Sequence, residues 1–268
     1  RQGGAVWAKT FRDWMKREQP QFVEAGNERV CYVFREHADG TSVDLDTLRG
    51  LTLEPNEKLI ILCMNTDDML ISYTENARHL VDEFERTLNL SYECTPRVPL
   101  EYHLGMHIVR NREQRLLSID VRRHINDFIR SMGSVLGRYV HNPSQKHLDA
   151  YLRVARYLIK TKDLRIVYGS HDKHGMVLYG FSDSDWSADI DTRKSTGAYI
   201  FLLDGAACSW KVKLSSTALL SSQESEYVAA SEATKEALNL CMLLHHLGFG
   251  DPRPTDNFVD NKGAITMG

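Results

Sequence analysis

The chain has 268 residues, 42% apolar and 26% charged, with a formal net charge of −3, which is the make-up of a globular protein with room for two ordinary domains. The slight acidity excludes nucleic-acid binding through a broad basic surface and leaves such a partner only local patches. Five cysteines (Cys31, Cys63, Cys94, Cys208, Cys241), odd in number and never in a C-x-x-C pair, exclude a disulfide framework or zinc ribbon and point to small core residues of a reduced protein inside the cell, in cytoplasm or nucleus.

The chain opens on Arg1-Gln2-Gly3-Gly4 without an initiator methionine or a signal-peptide apolar region, as an internal piece of a longer protein would, and no apolar run approaches membrane-spanning length. Residues 5–23 carry Val6, Trp7, Phe11, Trp14 and Met15 at helical spacing before Pro20, which predicts a short amphipathic helix. Val30–Phe34 reads as a strand, Ala38-Asp39-Gly40-Thr41 as a turn, and 41–57 as a polar loop. Two apolar runs, Lys58–Met64 and Met69-Leu70-Ile71, predict buried strands joined through Asn65-Thr66-Asp67-Asp68. Paired carboxylates at such a hairpin end can bridge metal ions to phosphate oxygens; the same four residues also suit an ordinary turn.

Residues 121–132 and 147–161 predict helices, the first with Val121, Ile125, Phe128, Ile129 and Met132 on one face, the second with Leu148, Leu152, Ala155 and Leu158 inward. On the second helix Arg153, Arg156 and Lys160 share another face, in a stretch where eight Lys/Arg stand against three Asp between Gly137 and Lys173. Such a face either tracks a phosphate backbone or is simply solvated.

From Met176 to Asp183 the pattern alternates, placing Val177, Tyr179, Phe181 and Asp183 on one side of a half-buried strand that ends at Asp183. Asp191-Thr192-Arg193-Lys194-Ser195 is a polar loop, Ala198–Leu203 a strand, and Asp204-Gly205 a tight turn into Ala207-Cys208-Ser209-Trp210. A long helix follows. From Glu226, the positions Ala230, Ala233, Ala237, Leu240 and Leu244 form one small-to-apolar stripe, so Glu226 begins the packed face and needs a cation or hydrogen bonds there. Glu224, three residues after Ser221, suits a capping box instead. Asp260 ends one more strand, or caps the short helix from Asn261. Three acids at strand and helix ends within one segment suit a divalent-metal phosphodiesterase.

Four motifs stand in order: Phe181-Ser182-Asp183-Ser184-Asp185-Trp186, Arg193-Lys194-Ser195-Thr196-Gly197, Glu224-Ser225-Glu226-Tyr227 and Val259-Asp260-Asn261-Lys262-Gly263-Ala264-Ile265. Together they resemble the ribonuclease H region of copia-type LTR retrotransposon Pol polyproteins. Upstream, Trp14, Phe22, Val30–Phe34, Asp67-Asp68-Met69-Leu70-Ile71 and Tyr102-His103-Leu104-Gly105-Met106 resemble the reverse-transcriptase palm of the same family. The resemblance implies an α/β (α+β) architecture, with a partial palm over 1–132, a connection remnant over 133–173 and a mixed-sheet ribonuclease H-like domain, truncated at its C-terminus, over 174–268.

It further implies Mg²⁺, or Mn²⁺, on Asp183, Glu226 and Asp260 as catalytic ligands, with Asp67 and Asp68 as palm ligands. Arg153, Arg156, Lys160, Arg193 and Lys194 become contacts to an RNA–DNA hybrid or single-stranded nucleic acid. The chain departs from the family in three ways. Asn65 and Thr66 replace an aromatic and a small aliphatic residue, the block after Gly133 is missing, and neither the upstream polymerase aspartate nor a fourth ribonuclease H carboxylate is present. The expected activity is therefore metal-dependent hydrolysis of hybrid RNA with polymerase function lost. The alternative is an inactive nucleic-acid-binding or scaffold relic.

Overall fold

The computed structural model describes residues 2–25, 30–43, 53–65, 68–130, 144–169, 177–187, 189, 192–247, 249 and 253–267. Asp67 with Thr66, the 133–143 segment and Asp191 lie outside the described residues. Helix α1 (Gln2–Glu18) ends ahead of Pro20 and is followed by β1 (Val23–Glu24), β2 (Val30–Glu36), β3 (Lys58–Asn65) and β4 (Asp68–Tyr73), which form one antiparallel sheet in the order β1-β2-β3-β4. Helix α2 (Arg78–Ser91) comes next, and sequence periodicity had not singled it out. On one face of the sheet, Tyr32, Ile60 and Leu62 pack with Phe11, Trp14 and Met15 of α1 and with Val81, Phe84 and Leu88 of α2. On the other face Cys31, Val33 and Leu59 pack with Leu247 and Phe249. Coverage of both faces explains why Lys58–Met64 is apolar without alternation.

One ion pair is buried at the edge of this sheet. Arg35 Nε and Nη2 donate to Glu57 Oε1 and Oε2 at 2.7 and 2.8 Å, with both side chains almost fully enclosed. Burial alone would raise the Glu57 carboxyl, but hydrogen bonds from Arg35 and from the Glu54 backbone N–H, with the Arg35 charge, hold it below its usual range.

By its contacts the chain divides into two units, one of Arg1–Pro96, Tyr179–Phe201 and Trp210–Gly268, the other of Arg97–Leu178 and Leu202–Ser209. The second unit holds an antiparallel sheet of β5 (Tyr102–His103), β6 (Met106–Asn111), β7 (Leu116–Asp120) and β8 (Ile166–Tyr168), with helices α3 (Arg122–Arg130) and α4 (Gln145–Thr161). On α4, Ala155 is buried and Leu152 and Leu158 are half-buried, while Leu148 is 43% exposed, so the inward face begins one turn later than expected.

A mixed sheet, most of whose residues fall in the first unit, has the order β11-β10-β9-β12, from β9 (Leu178–Asp185), β10 (Thr196–Leu203), β11 (Ala206–Leu214) and β12 (Asp256–Phe258). Asp204 and Gly205, at φ +52° and +76°, make the two-residue turn between β10 and β11. Helix α5 (Ser222–His246) covers one face with Ser225, Glu226, Ala229, Ala233 and Ala237, and α6 (Lys262–Met267) follows β12. Two expectations for β9 are corrected. The strand runs on to Asp185, and its buried parity is Leu178, Gly180 and Ser182 rather than Val177, Tyr179 and Phe181. The reason is space. The fully buried ring of Phe201 fills the room above Gly180, so no side chain fits at that position.

The Gly180 environment generates a stability prediction. A Cβ there would stand 2.3 Å from the Phe201 ring, whereas one at Gly197 would meet only Ala229 Cβ at 3.4 Å. Gly180→Ala should cost about 1–3 kcal/mol through overpacking, and Gly197→Ala should cost clearly less; equal midpoints in thermal melts would refute the contrast. For the buried pair, the folded pKa of Glu57 is depressed, so its contribution is present above the unfolded value and is lost as pH falls through the folded one. Glu57→Gln should be destabilised by about 3–5 kcal/mol near neutrality and should lose less than the parent chain on acidification, as read by urea melts against pH.

Candidate metal centre

The register of the mixed sheet brings two acids together. Strand β12 runs parallel to β9, pairing Asp256 with Tyr179, Asn257 with Gly180 and Phe258 with Phe181. Carried two residues further, the same register sets Asp260 beside Asp183. The stacked rings of Phe181 and Phe258, with centroids 5.2 Å apart, and the bond from Asn257 Nδ2 to Ser182 Oγ at 3.1 Å clamp the two strands just below the acids.

The third acid comes from α5. Ser221 caps this helix, its Oγ accepting the Glu224 N–H at 3.1 Å, and Glu224 Oε2 reaches back to accept the Leu220 N–H at 2.6 Å. Glu224 is thereby occupied with the helix start. Two residues on, Glu226 opens the buried face. Asp183, Glu226 and Asp260 each offer a carboxylate oxygen, and these oxygens lie within 4.8 Å of one another. Asp183 and Asp260 are exposed and Glu226 is buried. Asp183 Oδ1 accepts the Ser184 N–H at 2.8 Å, which fixes the plane of its carboxylate.

Glu226 is the unusual member. Its Oε2 is buried without a hydrogen-bond partner. Burial pushes its carboxyl above the usual range, the charges of Asp183 and Asp260 push the same way, and hydrogen bonding from Ser184 opposes them. An enclosed carboxylate oxygen with no donor, beside two further carboxylates, fits a hard divalent cation, since Mg²⁺ takes oxygen ligands from one or two protein carboxylates.

Sequence reasoning missed the two serines that align this corner. Ser184 Oγ donates to Ser225 Oγ at 2.8 Å, and Ser225 Oγ donates to Ser222 O at 2.8 Å, so strand β9 is tied to the first turn of α5. The available signal was that both serines adjoin the acids on the small-residue faces. Gly263 adds a close approach, since a Cβ there would meet Gln223 Nε2 of α5 at 2.1 Å. Asn261 rather than Asp260 stands immediately ahead of α6, so the acid lies one residue before the expected cap position.

The remaining predicted residues belong to other elements and loops. Asp68 is exposed and pairs with Asn65 across the β3–β4 hairpin. Arg193, at φ +55°, and Lys194 lie in a loop whose turn is made by Asp189, the Arg193 N–H donating to Asp189 O at 2.8 Å and the Thr192 N–H to Asp189 Oδ1 at 2.8 Å. Arg153, Arg156 and Lys160 are all exposed on α4. Among the described residues no helix is long and apolar enough to cross a membrane.

Several of the known proteins similar to this chain are Pol polyproteins. The retrovirus-related Pol polyprotein from transposon TNT 1-94 of Nicotiana tabacum is 27% identical over 268 residues, covering 78% of this chain and 20% of that polyprotein. The retrovirus-related Pol polyprotein from transposon RE1 of Arabidopsis thaliana is 35% identical over 134 residues, 49% of this chain and 9% of the relative. The protein named secreted RxLR effector protein 161 of Plasmopara viticola is 40% identical over 104 residues, 39% of this chain and 72% of that protein. The chain thus spans about a fifth of the length of the TNT 1-94 polyprotein. No protein-family model and no solved structure matches it. The chain is homologous to retrovirus-related Pol polyproteins of copia-type transposons.

Proposed function

We propose that this portion of a Pol polyprotein hydrolyses the RNA strand of RNA–DNA hybrids, with Mg²⁺ or Mn²⁺ held by Asp183, Glu226 and Asp260. One observation carries the reading. Three carboxylates from three separate elements converge within 4.8 Å, and the buried oxygen of one of them has no partner. When bound, a divalent ion supplies Lewis-acid polarisation of a phosphodiester. The side chains supply orientation. Packing of α5 fixes Glu226, the Ser184 N–H fixes Asp183, and the parallel register fixes Asp260. Preorganised acids need no rearrangement when substrate arrives.

Arg153, Arg156, Lys160, Arg193 and Lys194 are the proposed contacts to phosphates of the nucleic acid, each exposed or half-exposed. With a net charge of −3 the attraction is local, so binding should weaken steeply with salt. The β1–β4 sheet is assigned no chemistry, and no primer extension is expected from it.

The deciding assay is cleavage of a labelled RNA–DNA hybrid with Mg²⁺ or Mn²⁺. Asp183→Asn should reduce the rate by about 100-fold or more, equal to about 2.7 kcal/mol of transition-state stabilisation. A chain that binds the hybrid but never cleaves it, with either ion, would leave the inactive-relic reading in place and sink this one.

Metal linkage gives a second test. Divalent ion at about 100 times its Kd should stabilise the fold by about 2.7 kcal/mol, and Asp183→Asn should shrink this increment. Glu224→Gln should change stability little, since Gln also accepts at this capping-box position, and should keep the metal increment. In chelator, the raised folded pKa of Glu226 means that stability falls as pH rises from the unfolded value through the folded one. Glu226→Gln should therefore be more stable than the parent chain at neutral pH without metal, and insensitive to metal; a less stable variant would contradict the buried-charge account.

A further inference from the structure

We infer that Cys31 and Cys63 are an oxidisable thiol pair that hydrogen peroxide closes to a cross-strand disulfide. The two stand directly opposite each other in the antiparallel β2–β3 register. Directly opposed residues have side chains on one face and Cα atoms about 4.5–5.5 Å apart, inside the range of about 4.4–6.8 Å that a disulfide spans. Their sulfurs lie 3.0 Å apart. Closing the bond brings them to about 2.05 Å, a shift smaller than one bond length that side-chain rotation can supply.

Spacing along the chain hid this pair, because the two cysteines are 32 residues apart and only the strand register joins them. The other cysteines have different settings. Cys94 is exposed, and Cys241 Sγ lies 3.1 Å from Thr255 Oγ1. Cys31 is buried at 6% exposure, while Cys63 is only partly covered. Cys63 is thus the thiol that meets a small oxidant first, and Cys31 resolves the product.

The chemistry balances. The Cys63 sulfur attacks the peroxide O–O bond, which breaks to give a sulfenic acid and one water. The Cys31 sulfur then displaces the second oxygen as water, and the S–S bond forms. Two thiols and one peroxide become one disulfide and two waters, with the sulfurs oxidised by two electrons and the peroxide reduced by two. A dithiol reductant reverses the step. This inference is independent of the hydrolytic reading, since neither cysteine belongs to the acidic cluster.

The test exposes the folded 268-residue chain to graded hydrogen peroxide, blocks remaining thiols with an alkylating reagent and maps the peptides by mass spectrometry. The expected result is loss of two hydrogens per chain in a linked peptide pair carrying Cys31 and Cys63, formed while Cys208 and Cys241 still alkylate and restored by reductant. The linked form should melt about 5 °C or more higher than the reduced one, and Cys63→Ser should lose both the link and the shift. Should that variant fail to fold, the peptide map of the parent chain decides alone. Oxidation confined to exposed Cys94, with Cys31 and Cys63 still alkylated, overturns the inference.

Discussion

The last part of the chain is arranged around a carboxylate oxygen that has no donor of its own, Glu226 Oε2. A buried carboxylate with one oxygen unpartnered, beside two other carboxylates, costs free energy, and several features hold it there nonetheless. Ser221 and Glu224 fix where α5 begins, which decides that Glu226 rather than Glu224 heads the packed face. Ser184 and Ser225 tie that turn to β9. Gly263 lets α6 approach Gln223, so the segment carrying Asp260 lies against the start of α5. Each device is local and modest. Their joint effect is to hold the backbone of three acid-bearing elements together, so that the three carboxylates stand close.

How much of this was legible depended on which period the sequence displayed. Helix α5 announced itself through its stripe of small residues and its capping box, so the different tasks of Glu224 and Glu226 could be read before any coordinates. Glu226, Ala233 and Ala237 are buried as the stripe implies, and at one position Ala229 rather than Ala230 is the buried member. Strand β9 was read with the wrong face inward because large residues alternate there on the open side. Tyr179 and Phe181 look like core, yet Gly180 and Ser182 are the buried residues, and the Phe201 ring leaves no room for a side chain at Gly180. The β5–β8 sheet was not predicted at all. Its strands are two to six residues long, they alternate weakly, and β8 joins from beyond two helices, a pairing that local pattern does not encode.

The buried Arg35–Glu57 pair illustrates another limit of local reading. Both residues sit beside turn-like or polar stretches and would pass as solvated surface charges. Enclosure reverses their meaning. In water such a pair contributes little, whereas inside the fold each group is tolerable only because the other is present, in bidentate geometry. The same logic separates this site from the acidic cluster. At Glu57 an arginine answers burial and the carboxyl is held down, while at Glu226 nearby acids add to burial and the carboxyl is pushed up. Opposite shifts on two buried glutamates of one unit distinguish a structural ion pair from a site that still has charge to be answered.

Helix α5 connects these observations. At 25 residues it is about 37 Å long by its rise per residue. Its first turns carry Glu226, and its alanines let the mixed sheet close beneath it. Leu247 and Phe249, just past its end, complete the apolar layer over Cys31, Val33 and Leu59. One rigid element therefore borders the acidic cluster at one end and the thiol layer at the other. The alanine face makes this possible. Larger side chains would lift the helix off β9, and with it the turn that places Glu226 beside Asp183. The small residues of α5 are thus as necessary to the position of the carboxylates as the carboxylates are to any metal bound there.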